Sequence, residues 1–479
     1  MRNNKFLIKF ILIFIISLSI TFPQDFNPEI VEELNEIFED EYFQSTTLAV
    51  SIFDLTTGNY LYRKNDKQLL HPASNMKVIT SATGLEYLGP EYTFSTSVYH
   101  TGIIMDSVCY GDIVVVGGFD PDFTTEDLDT LVYSIKDYGI NEIRGNIYGD
   151  VSNMDSLFWG NGWMWDDDPS YDFPYMTPLI INDVSIEIAY EPGLIGNPVN
   201  ISLIPETDFF DITNESITSK EDTSNFETTR DWLNRGNEII ISGDLSYRAE
   251  PDTVKINIVN PEYYFLYLLK EKIEANSIKF YGRLDTLTLP AYSKLIYDKK
   301  RSFGEIIINL NKDSDNLSAE MTLRALSLER YDKPASAKKG IQVIDSLIAR
   351  TELNYKNYKI VDGSGVSHYN LVTPELLIEI LKYMYYKSPE NYKILKESFP
   401  IAGVDGSLEN RMKKNQAFEN VYAKTGTLSG VSTLSGYLMS VNKHDIAFSI
   451  FVQNYIGSSR VARGYQDRIC RFLSELNVK

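Results

Sequence analysis

Residues 71–82 read His-Pro-Ala-Ser-Asn-Met-Lys-Val-Ile-Thr-Ser-Ala, and they leave the chain few ways to fold. Pro72 favours a turn into a helix. From Met76 onward, Val78, Ile79, Ala82 and Leu85 give a helix that has to be buried. Ser74 and Lys77 then lie on one face of it, one turn apart. A lysine at the edge of such a helix is not freely solvated. Partial burial lowers its pKa, and a neutral amine can take a proton from the serine. The spacing alone is weak, because roughly two Ser-x-x-Lys spacings arise by chance in a chain this long. The rest of the sequence has to support it.

Composition removes several alternatives. The 479 residues leave room for two or three domains with a large core, and 43% hydrophobic with 13% aromatic content rules out disorder. A net charge of -21 argues against nucleic acid as a partner, because a phosphate-binding face needs excess Lys and Arg. It suits a substrate that is small or carries its own amines. There are four histidines, His71, His100, His368 and His444, and two cysteines, Cys109 and Cys470. None has zinc-site spacing, so no metal or cofactor is expected. No Gly-x-Ser-x-Gly elbow is present. A Ser-Lys mechanism stays open. The two cysteines, far apart and among apolar neighbours, read as buried thiols rather than a disulfide.

Residues 1–24 differ from all that follows. Arg2, Lys5 and Lys9 flank or interrupt an apolar run over 6–20, the pattern of a signal peptide. Export to the periplasm or cell envelope is expected, with an uncleaved anchor as the alternative and the membrane at most a peripheral partner. No stretch near the C-terminus has spanning length.

The mature chain divides by texture. A helix is expected over 27–43, then strands around 48–55 and 60–62 joined by Thr56-Thr-Gly-Asn, then the Ser74 helix. From about 92 to 289 short strands and turns dominate. Helical patterns resume near 302, at 317–328, at 338–350 and after Thr373-Pro-Glu. Strands over 421–427, 434–441 and 445–452 precede a terminal helix over 465–476.

Two further short patterns complete the reading. Ser314-Asp315-Asn316 falls in a polar loop between helices, and Lys424-Thr425-Gly426 falls on a strand. Ser-x-x-Lys, Ser-Asp-Asn and Lys-Thr-Gly in this order are the motif set of β-lactamases and penicillin-binding proteins. About 240 residues separate the first two and about 110 the last two. Small β-lactamases have no room for so long an insert. The arrangement resembles the D-alanyl-D-alanine carboxypeptidase/endopeptidase family, the class C low-molecular-mass penicillin-binding proteins of the penicillin-binding protein 4 type. Gly117-Gly-Phe-Asp-Pro, Gly162-Trp-Met-Trp-Asp-Asp, Val361-Asp-Gly-Ser-Gly-Val-Ser, Ala402-Gly-Val-Asp-Gly-Ser-Leu and Ala423-Lys-Thr-Gly-Thr-Leu support it.

The resemblance implies an α+β multidomain fold. Residues 25–90 and 300–479 would form a β-lactamase/transpeptidase-like domain, an antiparallel sheet flanked by helices, and 91–299 one or two inserted β-rich domains. It implies a serine DD-peptidase acting on peptidoglycan stem peptides, with β-lactams as covalent inhibitors. Ser74 would be the nucleophile, Lys77 its base, and Ser314 a proton relay. Asn316 would hold Lys77 and the substrate amide. Lys424, Thr425, Gly426 and Thr427 would line the carboxylate site, with the Ser74 and Thr427 amides as oxyanion hole. Asp150 is the candidate acid for an amine on the stem peptide. His368 stands where relatives commonly have Arg. Ser364 reads as a turn residue and His71 as structural. A β-lactamase or esterase on the same scaffold and a silent peptidoglycan-binding protein are the competing readings.

Overall fold

A five-stranded antiparallel sheet joins the two ends of the chain. In this computed structural model, which describes residues 28–222 and 225–478, the first strand, Thr47–Asp54, lies between Asn59–Lys64 and Asp445–Gln453. Val431–Met439 and Tyr422–Leu428 complete the sheet. The expected export segment, 1–24, lies outside the described residues. Val431–Met439 is buried through Leu438, and Asp445–Gln453 is buried from Ile446 onward. Both faces of the sheet are covered, which is why Asp445–Gln453 reads as an almost unbroken apolar run and why the polar residues of Val431–Met439 are small.

The helices Pro28–Phe38 and Arg460–Glu475 cover one face, with Ile30, Leu34, Ile469 and Leu473 in a core shared with Val50 and Ile450. The other face carries the Ser74 helix, Met76–Tyr87, in which every residue from Met76 to Leu85 is buried. Five helices surround it: Phe303–Lys312, Asn316–Arg330, Ala337–Arg350, Pro374–Lys387 and Pro389–Ser398. Its polar side chains each find an acceptor. Thr80 Oγ1 donates to the Gly363 carbonyl at 2.7 Å, Ser81 Oγ to Asn311 Oδ1 at 3.2 Å, and Thr83 Oγ1 to the Ile79 carbonyl at 2.7 Å. The burial demanded by the sequence of this helix is therefore met without orphaned hydroxyls.

The intervening chain leaves and returns on paired strands, Thr93–His100 and Lys294–Ser302. These belong to a second five-stranded sheet with Ile113–Val116, Ile147–Asp150 and Leu284–Thr286. Smaller sheets are built from strands between 185 and 257. Two helices that the sequence reading did not separate from this β-rich texture, Thr125–Asp137 and Pro261–Ala275, pack on the second core. The first is announced by a capping box in which Thr124 and Asp127 exchange hydrogen bonds. Cys109 and Cys470 are free, buried and in different cores. Among the described residues no helix is long and apolar enough to cross a membrane.

Gly84 shows how tightly the central helix is enclosed. A Cβ there would stand 2.4 Å from Cζ of Phe303, a ring with no exposed surface. Alanine in place of an interior helical glycine ordinarily stabilises by about 1 kcal/mol. Here overpacking should outweigh that gain, and Gly84→Ala is expected to lose about 1–3 kcal/mol. Chemical denaturation should show a lower midpoint at unchanged slope, with part of the loss recovered in G84A/F303L. A midpoint at or above that of the parent would show that the ring yields freely.

Candidate active site

The Ser74 group is assembled where the central helix begins. Ser74 sits in the short 3-10 turn Ala73–Asn75, just ahead of Met76–Tyr87. Ala73 has φ +45°, and Gly365, at φ +89°, lies so close that a Cβ there would stand 2.0 Å from the Ala73 carbonyl oxygen. Only glycine satisfies both the backbone conformation and the space at position 365. Ser74 keeps partial exposure while its neighbours on both sides are buried.

Lys77 is completely buried, and its Nζ meets three oxygens: Ser74 Oγ at 3.1 Å, Asn316 Oδ1 at 2.5 Å and the Ser364 carbonyl at 2.9 Å. The Asn316 amide is oriented by its other end, where Nδ2 donates to the Asp172 carbonyl at 2.7 Å. Both Asn316 Oδ1 and the Ser364 carbonyl can only accept. A neutral amine has two N–H groups and one lone pair. Satisfying the two obligatory acceptors leaves the lone pair aimed at the Ser74 hydroxyl. That is the geometry of a general base.

Burial brings the neutral form within reach. Burial brings the Lys77 pKa down to about 8, opposed by the charges of Asp315, Asp362, Glu320 and Asp172. Lys424, also fully buried, is held well below the usual lysine range by burial and then by Lys77, with Asp313 opposing. The like-charge effect between the two amines falls on Lys424.

The three motifs meet. Asn75 Nδ2 donates to the Lys424 carbonyl at 2.8 Å, and Thr433 Oγ1 donates to the Pro72 carbonyl at 2.8 Å, so the strand Tyr422–Leu428 and its neighbour are pinned to the helix start. A Cβ on Gly426 would come within 2.9 Å of the Ser74 amide nitrogen, so no side chain fits between strand and turn. Thr425 Oγ1 lies 2.6 Å from Ser407 Oγ, and exposed Thr427 accepts from Arg463 at 3.3 Å. Ser314 occupies the turn between Phe303–Lys312 and Asn316–Arg330 with φ +64°, a conformation costing about 1–3 kcal/mol in a non-glycine residue. Asp315, the middle residue of its motif, caps the helix through the Ser318 amide.

Several contributors were not legible. Glu320 Oε1 accepts from the amides of Gly363 and Ser364 at 2.8 and 2.9 Å, while its other oxygen pairs with Arg324. Asp362 accepts from the Gly365 and Ser367 amides, from Asn370 and, at 3.2 Å, from Trp163 Nε1. Burial and the charge of Glu320 raise the Asp362 pKa to about 6. Two buried carboxylates thus fix the loop whose carbonyl holds Lys77. Ser364 contributes that carbonyl, and its own hydroxyl is buried without a partner among the described residues. His71 bonds the Asn370 carbonyl through Nδ1 and packs edge-on against His368, ring centres 5.5 Å apart. Asp167, held at one end by the Met164 amide, feels the charge of His368. Arg463 carries no motif at all.

Asp150 is held by backbone amides in the insert's sheet. It is 5% exposed at a strand end, and its two oxygens accept from the Ser152 and Leu289 amides at 2.8 and 2.7 Å. Each oxygen keeps a further lone pair, and these two contacts do not themselves reach the Ser74 group. In sequence a strand-end aspartate and a ligand-binding one look the same. Among the described residues no cluster could hold a metal ion.

Residues 30–476 match the profile of the D-Ala-D-Ala carboxypeptidase 3 (S13) family. The chain is 28% identical over 462 residues to a D-alanyl-D-alanine carboxypeptidase of Actinomadura sp., covering 93% of this chain and 85% of that one. It is 26% identical over 398 residues to the D-alanyl-D-alanine carboxypeptidase DacB of Haemophilus influenzae, covering 82% of each. The crystal structure of penicillin binding protein 4 (dacB) from Haemophilus influenzae superposes with a TM-score of 0.81 at 23% identity, covering 92% of this chain and 98% of that one. The α+β architecture is thus that of a known multidomain fold.

The charge balance at Lys77 gives a signed test. Asp315 is the first-ranking group that opposes the fall of the Lys77 pKa, and asparagine would still cap the helix. With Asp315→Asn the base should lose its proton more readily. The acid limb of Ser74 acylation, expected near pH 8 in the parent, should move to lower pH. Acylation rates measured from pH 5 to 10 would check it; a limb that stays put or moves up would remove Lys77 from the role of base.

Proposed function

The chain belongs to the D-Ala-D-Ala carboxypeptidase 3 (S13) family and is a serine-type D-Ala-D-Ala carboxypeptidase; we propose that it works through an acyl-enzyme on Ser74, with Lys77 as the base. The observation that carries this reading is the contact of Lys77 Nζ with Ser74 Oγ, flanked by two oxygens that can only accept.

In this mechanism Ser74 Oγ attacks the carbonyl of the penultimate D-alanine as Lys77 takes its proton. The amides of Ser74 and Thr427 receive the oxyanion, in keeping with the close approach of strand and turn at Gly426. The C–N bond then breaks, and the proton reaches the departing D-alanine nitrogen through Ser314. Water attacks the ester, Lys77 again accepting a proton, and Ser74 is regenerated. Lys424, Thr425 and Thr427 bind the terminal carboxylate. Arg463, bonded to Thr427, adds a guanidinium suited to the same carboxylate. Asn316 holds Lys77 and still has one N–H for the substrate amide. Asp150 and His368 are the candidates for contact with the stem peptide, His368 packing on His71, three residues before Ser74.

Residues 25–90 and 300–479 act as the catalytic unit on this reading, with the insert supplying the wall of the cleft through Asp172 and Trp163. Hydrolysis of cross-links between stem peptides is the same chemistry on a larger leaving amine. The place of work is the cell envelope, where that substrate is found and to which the signal-like residues 1–24 would direct the chain. β-Lactams would acylate Ser74. The carboxylates flanking the Lys77 loop, Glu320 and Asp362, are occupied by backbone amides, which favours a long-lived adduct over the rapid release of a β-lactamase.

Labelled penicillin followed by peptide mapping should place the adduct on Ser74. Ser74→Ala should form no adduct and release no D-alanine from a pentapeptide, a loss of at least about 10³-fold. Lys77→Met should acylate slower by a similar factor. D-alanine release by the Ser74→Ala protein would overturn the mechanism.

A further inference from the structure

All four tryptophans of the chain gather in one place. Trp159, Trp163, Trp165 and Trp232 line a pocket of about 300 Å³ together with Leu233 and Arg235. The outer pair, Trp165 and Trp232, are stacked with ring centres 5.2 Å apart and planes 26° apart. Trp165 is 70% exposed and Leu233 71% exposed. Flat apolar surface of this kind left in water is unusual in a soluble protein and marks a binding surface.

The surface is held rigid from beneath. Trp232–Asn234 is a single 3-10 turn closed by Arg235 in the left-handed region, with the Gly236 amide bonded back to the Asp231 carbonyl. Its neighbour Arg230 is buried and pairs with buried Asp168, three residues after Trp165. Arg230 also donates to Asn257 and to the Gly236 carbonyl, and Tyr175 donates to Asp168 at 3.0 Å. A buried ion pair is a costly way to stabilise a fold, and its common use is to fix one geometry. Here it fixes the two segments that display the exposed rings.

The pocket also connects to the catalytic loop. Trp163 stacks edge-on with Trp159, ring centres 5.3 Å apart, and donates to Asp362, whose loop supplies the Ser364 carbonyl to Lys77. Resting on the activity proposed above, the substrate of this site is a peptide whose far end is joined to a sugar chain. A pyranose ring has an apolar face of C–H groups and an equatorial rim of hydroxyls and amides. Exposed indole faces bordered by Arg235 and by the exposed Asp166 carboxylate next to Trp165 match that division of surface.

We propose that the Trp165–Trp232 platform binds the amino-sugar backbone of peptidoglycan and so favours stem peptides still attached to glycan. Two measurements on the full chain test it. The first compares kcat/KM for a free pentapeptide and for the same pentapeptide on a disaccharide, in the parent and in Trp232→Ala, Trp165→Ala and Trp232→Phe. The parent should prefer the glycan-linked substrate by roughly threefold to tenfold, the size of a stacked aromatic contact. That ratio should fall toward one in the alanine variants and survive in part in Trp232→Phe. The second titrates Ser74→Ala protein, in which nothing is turned over, with a β-1,4-linked N-acetylglucosamine tetramer and follows tryptophan emission. Saturable change lost in Trp232→Ala supports the platform. Equal kcat/KM on both substrates in the parent, or a ratio unmoved or both rates reduced alike in the alanine variants, overturns it. So does emission that responds to free stem peptide and not to the saccharide. Failure to hydrolyse either substrate would instead overturn the activity on which the inference rests.

Discussion

The structure turns on one buried amine. Lys77 has no exposed surface, yet it carries no direct ion pair; its partners are a hydroxyl, an amide oxygen and a peptide carbonyl. Four carboxylates act on it from further away and keep the pKa near 8 rather than lower. A carboxylate in contact would make Lys77 an ordinary ammonium, useless as a base. With no carboxylates at all, burial would push the amine still lower and weaken it as a proton acceptor. The drop from the usual lysine value corresponds to about 3 kcal/mol of folding free energy. Because the folded-state pKa is the lower one, that penalty is complete below about pH 8 and fades as pH rises toward the unfolded value. The folded protein therefore has to hold the amine with stability drawn from elsewhere.

That support comes from three separate parts of the chain. The helix carrying Lys77 belongs to the N-terminal part, and its acceptors Asn316 and Ser364 come from a helix start and a loop of the C-terminal part. The insert completes the set, because Asp172 orients the Asn316 amide and Trp163 completes the coordination of Asp362. Without the Asp172 carbonyl, the Asn316 side chain could rotate and present N–H to Lys77, turning an acceptor into a donor. The 200-residue excursion is thus mechanically part of the lysine's environment, entering and leaving on the paired strands Thr93–His100 and Lys294–Ser302.

The motifs were legible because each couples chemistry to a local structure: Ser74 and Lys77 to a helical turn, Asp315 to a helix cap, Lys424 to a strand paired on its buried side. The individual strands and helices around the site followed from periodicity, and their assembly into one sheet flanked by helices from the family resemblance. What stayed hidden was whatever acts across the chain. Glu320 sits on a helix where a buried glutamate looks like any other, and only the loop 43 residues later reveals its use. Arg463 lies on the exposed side of an amphipathic helix and gains meaning only from Thr427. Asp150 shows the complementary case. Its neighbours in sequence suggest a strand end, and what its carboxylate bonds to depends on Leu289, far along the chain. The helix Thr125–Asp137 was within reach, since Thr124-x-x-Asp127 is a capping signal, but the surrounding turns masked it.

Buried ion pairs in this protein recur at joints rather than in the middle of cores. Glu320–Arg324 anchors the loop behind Lys77, Asp168–Arg230 locks the two aromatic segments together, and Asp120 and Asp127 hold Arg301 where the insert returns to the sheet. Apolar packing could fill the same volumes at less cost in desolvation. It could not set the direction of a peptide carbonyl or the tilt of an exposed indole, because dispersion is nearly blind to orientation whereas a charge-assisted hydrogen bond is not. Each joint carries something whose angle matters: an acceptor aimed at Lys77, a pair of ring faces, the entry to the insert. Stability is given up at these points in return for geometry, and the geometry is what the chemistry at Ser74 requires.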